Sequence, residues 1–322
     1  MNFRLEFTPP AFGEKIDITD RVMLTGSCFT EHMHGFLERS KFRVMQNPNG
    51  VLFNPISIFD SILTYIKNQQ ISAEDLFLHK GLWKCWTFHS SFAGTEQSKT
   101  IEKINHSISQ AHEFIQSAEW LFITLGSAHV YLLENGRIVA NCHKQTPDHF
   151  EKRLLKQGEI TDSFVEMYTE LKKINPGIRI IFTVSPVRHL KDGFIQNNRS
   201  KAILINAIDE IINTFPEINY FPAYELIVDD LRDYRFFSED MVHPNYQATR
   251  YVWEKFSTAC LNGRTREVIK EIELINSAKN HEVLHPGSEE HLKFIAKFRE
   301  IVSGIQLRFP MLDFSTESAY FK

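Results

Sequence analysis

Cysteine is scarce in this sequence and its few copies are far apart. The 322 residues include only four, Cys28, Cys85, Cys142 and Cys260, and no two of them form a CxxC pair. A disulfide-stapled fold or a cysteine-based zinc site needs closely spaced cysteines, so neither is expected. We expect the four thiols to be reduced, as in a cytoplasmic protein.

Long apolar runs are also missing. No stretch reaches the roughly 18 residues that a membrane-spanning helix requires. The first residues, MNFRLEFTPPAFGEKIDI, carry two glutamates and two prolines where a signal peptide would have an unbroken apolar core. We therefore expect no signal peptide, no membrane partner and a cytoplasmic location.

Neither sign of charge dominates the chain. Lysine and arginine number 36 against 40 aspartates and glutamates, which gives a net charge of −4. Nucleic acids and anionic membranes are bound by concentrated basic surfaces, so we expect no nucleic-acid partner. Hydrophobic residues make up 43% and charged residues 24%, as in ordinary globular proteins.

Short apolar runs alternate with helix-like segments. Three runs read as strands buried on both faces, RVMLTG (21–26), WLFITLG (120–126) and IRIIFTVSP (178–186). Helical periodicity is found in the segments between and around them, at 31–40, 56–67, 101–116, 161–174 and 199–214. This alternation predicts an α/β protein, a three-layer α/β/α sandwich with a mostly parallel sheet.

Two segments depart from the alternation. Asn135-Gly136 lies between apolar runs and is a strong hairpin signal, which predicts a β-hairpin insertion over the sheet edge. Charged helical patterns at 264–280 and 288–303 predict extra C-terminal helices, packed on the sandwich or forming a partner surface. We accordingly divide the chain into a domain at 1–262 and a packed helical extension at 263–322.

Two candidate nucleophiles follow the first predicted strand. This strand ends at Gly26, and Ser27 and Cys28 come next, at the sheet edge where open α/β folds bind ligands. Serine hydrolysis also needs a base and a carboxylate that orients it, and Asp240 and His243 have a spacing that suits both roles. The alternative is an aspartate that caps a helix beside a histidine in the core.

The motifs around these residues resemble a known family. GSCFT at 26–30 is similar to the GSCFA motif that names a family of SGNH/GDSL-like hydrolases, and DMVHP at 240–244 resembles the last block of that family. Further similar blocks are NPNGVLFNP (47–55), TLGSAHVY (124–131), NCHK (141–144) and SPVRH (185–189). The resemblance implies a flavodoxin-like sandwich, a Ser27–Asp240–His243 triad and no cofactor.

The resemblance also implies an oxyanion hole, and here the sequence departs from the pattern. The superfamily uses backbone amides and an asparagine side chain, and the amides of Ser27 and Gly50 match the backbone donors. The third block reads GSAH at 126–129, without the usual asparagine. Ser127 and Asn54 are the candidate replacements for the missing donor.

Cys28 is the alternative nucleophile. Amides at a helix start lower the pKa of a thiol, which would make Cys28 a reactive thiolate. Adjacent side chains on a turn point in different directions, so only one of the two can face His243. The triad pattern favours Ser27, and we assign Cys28 to packing.

Histidines near predicted strand ends suggest a second kind of site. They are His32, His34, His89, His129, His143 and His189. Metal binding is one reading, but the sequence has no HExxH motif and no HxH on a clear strand, so we expect no metal.

Four side chains remain as candidates for the substrate pocket. His89 and His143 would form its wall, with a hydrogen-bonded structural role as the alternative. Arg188 and His189 would contact a polar or anionic substrate group, with a solvated loop as the alternative.

Together these features predict an ester hydrolase. We expect a serine enzyme that forms a covalent acyl-enzyme on a small-molecule or carbohydrate acyl ester, O-acetyl sugars included. The alternative is a catalytically degenerate SGNH-fold ligand-binding module, which the missing asparagine of the third block favours.

Overall fold

The computed structural model describes residues 5–322. Its strands are β1 (Arg21–Gly26), β2 (Arg43–Gln46), β3 (Leu76–His79), β4 (Leu82–Cys85), β5 (Trp120–Leu125), β6 (His129–Leu132), β7 (Ile138–Val139), β8 (Glu151–Leu154), β9 (Arg179–Val184) and β10 (Asn219–Tyr220). Its helices are α1 (Phe29–Arg39), α2 (Pro55–Lys67), α3 (Gln97–Ile115), α4 (Gln157–Ile174), α5 (Gly193–Thr214), the short α6 (Ala223–Glu225), α7 (Tyr246–Cys260), α8 (Gly263–Lys279), α9 (Glu289–Arg308) and α10 (Ser315–Tyr320).

Five parallel strands form the central sheet. Their order is β10-β9-β5-β1-β2, and every neighbouring pair is parallel. If these five strands are renumbered 1 to 5 in chain order and the sheet is followed from its β2 edge, the order is 2-1-3-4-5, as in flavodoxin-like folds. The order reverses between β1 and β5, and open α/β sheets bind ligands at the carboxyl ends of the strands at this point. The predicted sandwich fold is confirmed.

The central strands are buried on both faces because their apolar residues alternate between two cores. Val22 and Leu24 of β1 pack with α1, α7 and the C-terminal helices. Met23, between them, packs on the opposite face with α2, α4 and α5. This alternation explains why the strands read as continuous apolar runs.

Two hairpins are inserted outside the central sheet. The predicted hairpin is present as β6 and β7, where Gly136 has a φ of +79°, and β8 pairs with the other side of β6. A second hairpin joins β3 to β4 and is absent from the sequence-based prediction. Strands of four residues are too short to give a recognisable alternation.

The C-terminal helices pack on the sandwich. Ile272 of α8, Ile305 of α9 and Phe321 share one apolar core with Phe36 and Trp253. These buried residues therefore pack on the sandwich and do not form a free surface. The domain boundary at 262 stays a prediction. Over residues 5–322, no helix combines the length and apolarity that crossing a membrane requires.

Candidate active site

Ser27 follows β1 at the carboxyl edge of the sheet. Gly26 before it has a φ of +132°, and a Cβ there would lie 2.1 Å from the Thr124 carbonyl oxygen, so only glycine fits. The Ser27 side chain is 0% exposed. Its Oγ has no hydrogen-bond partner among residues 5–322. The candidate nucleophile is thus a buried hydroxyl with unused hydrogen-bonding capacity.

Asp240 and His243 form a hydrogen-bonded pair. Asp240 Oδ2 lies 2.6 Å from His243 Nδ1, and Asp240 Oδ1 accepts the N–H groups of Val242 and His243 at 2.9 and 3.0 Å. These bonds lower the pKa of Asp240 to about 2. Because an ionised carboxylate can only accept, Nδ1 carries the proton and Nε2 is available as a base in the neutral ring.

The alternative of a capping aspartate and a core histidine does not match the structure. Asn245 caps α7, with its Oδ1 accepting the Ala248 N–H at 3.0 Å. The His243 side chain is 45% exposed, so it is not a core residue. Asp240 instead closes the turn that carries His243.

Arg188 holds the loop that carries this pair. Its guanidinium lies over the rings of Phe237 and Tyr234, at 4.2 and 5.0 Å from the centroids. Its backbone N–H donates to the Val242 carbonyl at 3.3 Å. The contact predicted with a substrate group remains a prediction, while the observed contacts give Arg188 a role in positioning the loop.

No direct bond joins Ser27 to the Asp240–His243 pair in the described part of the chain. Ser27 Oγ is unpartnered, so no hydrogen bond joins it to His243 in this structure. The Phe53 carbonyl accepts the Gly126 N–H at 2.8 Å, and the Phe53 ring packs edge-on against His189 at 5.3 Å. Burial, with the charge of His243 among the smaller causes, lowers the pKa of His189 to about 3.

The predicted backbone donors of the oxyanion hole are engaged. The Gly50 N–H donates to the Asn47 carbonyl at 2.7 Å, and the Ser27 N–H donates to the Thr124 carbonyl at 3.1 Å. Gly50 itself is required by packing, because a Cβ there would lie 2.4 Å from the His89 Cβ. Neither amide is available to a ligand in this arrangement.

The predicted side-chain donors are also engaged. Asn54 caps α2, with its Oδ1 accepting the Ser57 N–H at 2.8 Å and its Nδ2 donating to Ser57 Oγ at 3.0 Å. Ser127 Oγ accepts the His129 N–H at 3.1 Å and lies 3.3 Å from Ser200 Oγ. The sequence-based candidates for the missing donor therefore have structural partners.

The two predicted wall histidines have hydrogen bonds of their own. His89 Nδ1 accepts the Ser91 N–H at 3.2 Å and caps a short turn. His143 Nε2 donates to the Cys85 carbonyl at 2.8 Å, and burial lowers the pKa of His143 to about 4. Both contacts are those of the structural alternative.

Cys28 lacks the activation that the sequence suggested. Burial and the nearby Glu31 charge raise the pKa of its thiol, although it stands at the start of α1. The expectation of a lowered pKa is therefore wrong.

All four cysteines are free. Within the described chain, no group of three or more histidines, cysteines or carboxylates could hold a metal ion.

The sequence-based reading missed Lys201, which lies beneath the site. The side chain is fully buried, and its Nζ donates to the carbonyls of Gly126 and Ser185 at 2.7 Å each. Burial lowers the pKa of Lys201 to about 7. Its signal was a lysine on the apolar stripe of α5, one turn before Leu204.

Family models cover most of the chain. The GSCFA family model matches residues 21–256, and the model of the GSCFA domain protein C-terminal domain matches residues 272–322. The chain belongs to the GSCFA family. A sequence search of curated proteins finds no match for this GSCFA protein.

Several solved structures share low similarity with this GSCFA chain. A carbohydrate esterase family 3 protein from Talaromyces cellulolyticus is 10% identical, with a TM-score of 0.35 over 79% of this chain and 99% of its own. An acetyl esterase variant with acetate ion is 10% identical, with a TM-score of 0.36 over 79% and 100%. An acetyl xylan esterase from Butyrivibrio proteoclasticus is 10% identical, with a TM-score of 0.36 over 83% and 65%. Scores at this level carry no argument about substrate.

Proposed function

We propose that this GSCFA protein is a serine hydrolase that cleaves an acyl ester through a covalent acyl-enzyme. The observation that carries the proposal is the 2.6 Å bond between Asp240 and His243. Ser27, which directly follows β1, is the proposed nucleophile. The carboxylate fixes the imidazole with Nδ1 protonated, which is the tautomer a general base needs.

The proposed reaction has two steps. His243 Nε2 takes the Ser27 proton as Oγ attacks the ester carbonyl, and the resulting imidazolium returns that proton to the departing alcohol. Water then loses a proton to His243 Nε2 and attacks the acyl-enzyme. The imidazolium returns this proton to Ser27 Oγ as the bond from Oγ to the acyl carbon breaks and the carboxylic acid leaves. Asp240 stabilises the imidazolium in both steps.

Access to Ser27 requires movement. Ser27 is fully buried and its Oγ has no hydrogen-bond partner among residues 5–322, while His243 is half-exposed. Catalytic hydrogen bonds are often long or unformed without substrate and tighten in the reactive complex. We propose that ester binding opens a path to Ser27 and brings the His243 ring to it.

The proposed substrate is a small-molecule or carbohydrate acyl ester, with O-acetyl sugars included. What supports this class is membership of the GSCFA family together with Ser27 after β1 and the hydrogen-bonded Asp240–His243 pair.

A fluorophosphonate probe with peptide mass spectrometry tests the proposal. We expect a covalent adduct on Ser27 in the wild type and none in Ser27→Ala. Ser127→Ala is the matched control, because Ser127 is a buried serine after the neighbouring strand, and it should label like the wild type. Absence of any adduct on Ser27 would count against the hydrolase.

A ligand-binding module without turnover is the second candidate. It is favoured by the engaged amides of Gly50 and Ser27, which leave the predicted oxyanion hole without backbone donors. It predicts no ester turnover and no adduct, together with a thermal midpoint that rises when acyl sugars are added.

A further inference from the structure

The side-chain amide of Asn47 uses its oxygen but not its N–H groups in hydrogen bonds within the described chain. Its Nδ2 is shielded from solvent and has no hydrogen-bond acceptor within residues 5–322. Its Oδ1 accepts the Gly26 N–H at 2.8 Å, one residue before Ser27. Buried donors nearly always have a hydrogen-bond partner. An unpaired donor on a side chain that is bonded one residue before a candidate nucleophile therefore needs an explanation.

The orientation of this side chain is fixed by chemistry. The atom that accepts the Gly26 N–H must be oxygen, which leaves Nδ2 as the unbonded donor. The backbone is also held, since the Asn47 N–H donates to the Leu24 carbonyl at 2.8 Å and the Asn47 carbonyl accepts the Gly50 N–H. Asn47 has a left-handed φ of +41°, a strained conformation that asparagine tolerates best among residues other than glycine.

The donors that the sequence predicted for the oxyanion already have partners. The amides of Ser27 and Gly50 bond to backbone carbonyls, and the Asn54 side chain caps α2. Asn47 Nδ2 therefore has spare hydrogen-bonding capacity, on a side chain that is bonded to Gly26, the residue before the serine, and on a backbone held at the end of β2.

We propose that Asn47 Nδ2 donates to the oxyanion that forms when Ser27 attacks the ester, replacing the asparagine that the third block lacks. This inference rests on the proposed hydrolase function. As the bond from Ser27 Oγ to the carbonyl carbon forms, the carbonyl oxygen gains negative charge and accepts the Nδ2–H. No atom is transferred to or from Asn47.

The loss of one such donor lowers kcat by about 10²–10³ and leaves KM nearly unchanged, because the bond is strong only in the transition state. Two variants separate this role from a structural one. Asn47→Asp keeps the oxygen that accepts the Gly26 N–H but has no N–H to donate. Asn47→Gly suits the left-handed backbone and removes the whole side chain.

The two roles, oxyanion donor and structural bond, predict different effects of these variants on kcat and on the thermal midpoint. If Nδ2 acts on the oxyanion, Asn47→Asp loses at least as much kcat as Asn47→Gly, because a carboxylate repels the developing charge, and its thermal midpoint stays near the wild type. If Asn47 only holds Gly26, the aspartate variant retains wild-type kcat and the glycine variant is the less stable. Asn68→Asp is the control, since Asn68 is also left-handed, with a φ of +46°, and lies after α2.

Kinetics of the wild type, Ser27→Ala and both Asn47 variants on a chromogenic acetyl ester decide the matter. A fluorophosphonate labelling rate that falls in parallel with kcat supports the donor role. An active wild type and an inactive Ser27→Ala, with Asn47→Asp at full kcat, would overturn the inference and leave the hydrolase intact. A wild type no faster than Ser27→Ala overturns both. If the aspartate variant does not fold, kcat of Asn47→Gly decides, and wild-type turnover there overturns the donor role.

Discussion

Lys201 Nζ lies 2.7 Å from the Gly126 carbonyl oxygen, in the interior below the candidate nucleophile. The same ammonium reaches the Ser185 carbonyl, so one side chain joins the carboxyl ends of β5 and β9. Gly126 in turn lies against Ser27, because a Cβ on the glycine would be 3.1 Å from the Ser27 Cβ. A titratable group therefore supports the floor of the site.

Lys201 should make the free energy of unfolding depend on pH above about 7. Burial lowers the pKa of Lys201 from 10.5 to about 7, so between these values the unfolded chain binds more protons than the folded one. The free energy of unfolding should therefore rise as pH increases from about 7 toward 10.5. Urea denaturation across this range measures the slope.

Lys201→Met is the matched variant for this prediction, because methionine has similar bulk and no charge. Its stability should be less dependent on pH over the same range, although the two carbonyls lose their donor. Equal slopes in the wild type and the variant would show that Lys201 does not titrate in this window.

The sequence predicts the central elements because their patterns are long and local. β1, β5 and β9 are six-residue strands buried almost throughout, and each is visible as an apolar run. β10 has only two residues, and its pairing with β9 depends on tertiary contacts that no local pattern encodes.

The candidate site also combines features with a local sequence pattern and features that depend on tertiary contacts. Ser27 and the Asp240–His243 pair are recognisable because the serine follows an apolar run that reads as a strand, and the aspartate and histidine stand three residues apart on one turn. The roles of Asn47 and Lys201 depend on bonds to distant backbone groups, at Gly26, Gly126 and Ser185. Asparagine after a strand is ordinary locally. A lysine on the apolar stripe of α5 signals burial, but it does not show which carbonyls the side chain contacts, so neither role could be predicted.

Asp240→Asn should lower kcat strongly with little loss of folding. Asparagine keeps an oxygen for the Val242 and His243 N–H groups, but it no longer stabilises the imidazolium or enforces its tautomer. The corresponding change in serine proteases lowers kcat about 10⁴-fold, and we expect a loss of about 10²-fold or more.

Steady-state kinetics and thermal unfolding check the Asp240 prediction, with the exposed neighbour Glu239→Gln as the control. Wild-type turnover in Asp240→Asn would show that Asp240 only closes a turn. A collapsed thermal midpoint would instead assign it to the fold.

Arg188→Lys should lower kcat while KM changes little. Lysine keeps the positive charge but cannot lay a planar guanidinium over Phe237 and Tyr234, so the loop that carries His243 loses its support. Misplacing a catalytic group by about 1 Å can cost about 10²-fold. Arg235→Lys, an exposed arginine paired with Asp233, is the control. A rise in KM at constant kcat would point to a substrate contact of Arg188 instead.

Trapping the acyl-enzyme is the most direct test of Ser27 as the nucleophile of an ester hydrolase. The wild type is mixed with a chromogenic acetyl ester, quenched in acid within the first turnover, digested and sequenced by tandem mass spectrometry. We expect one acetyl group on Ser27, retained in Cys28→Ala and lost in Ser27→Ala. An acetyl group on Cys28, or no acetylated residue in a protein that still hydrolyses the ester, would contradict this expectation.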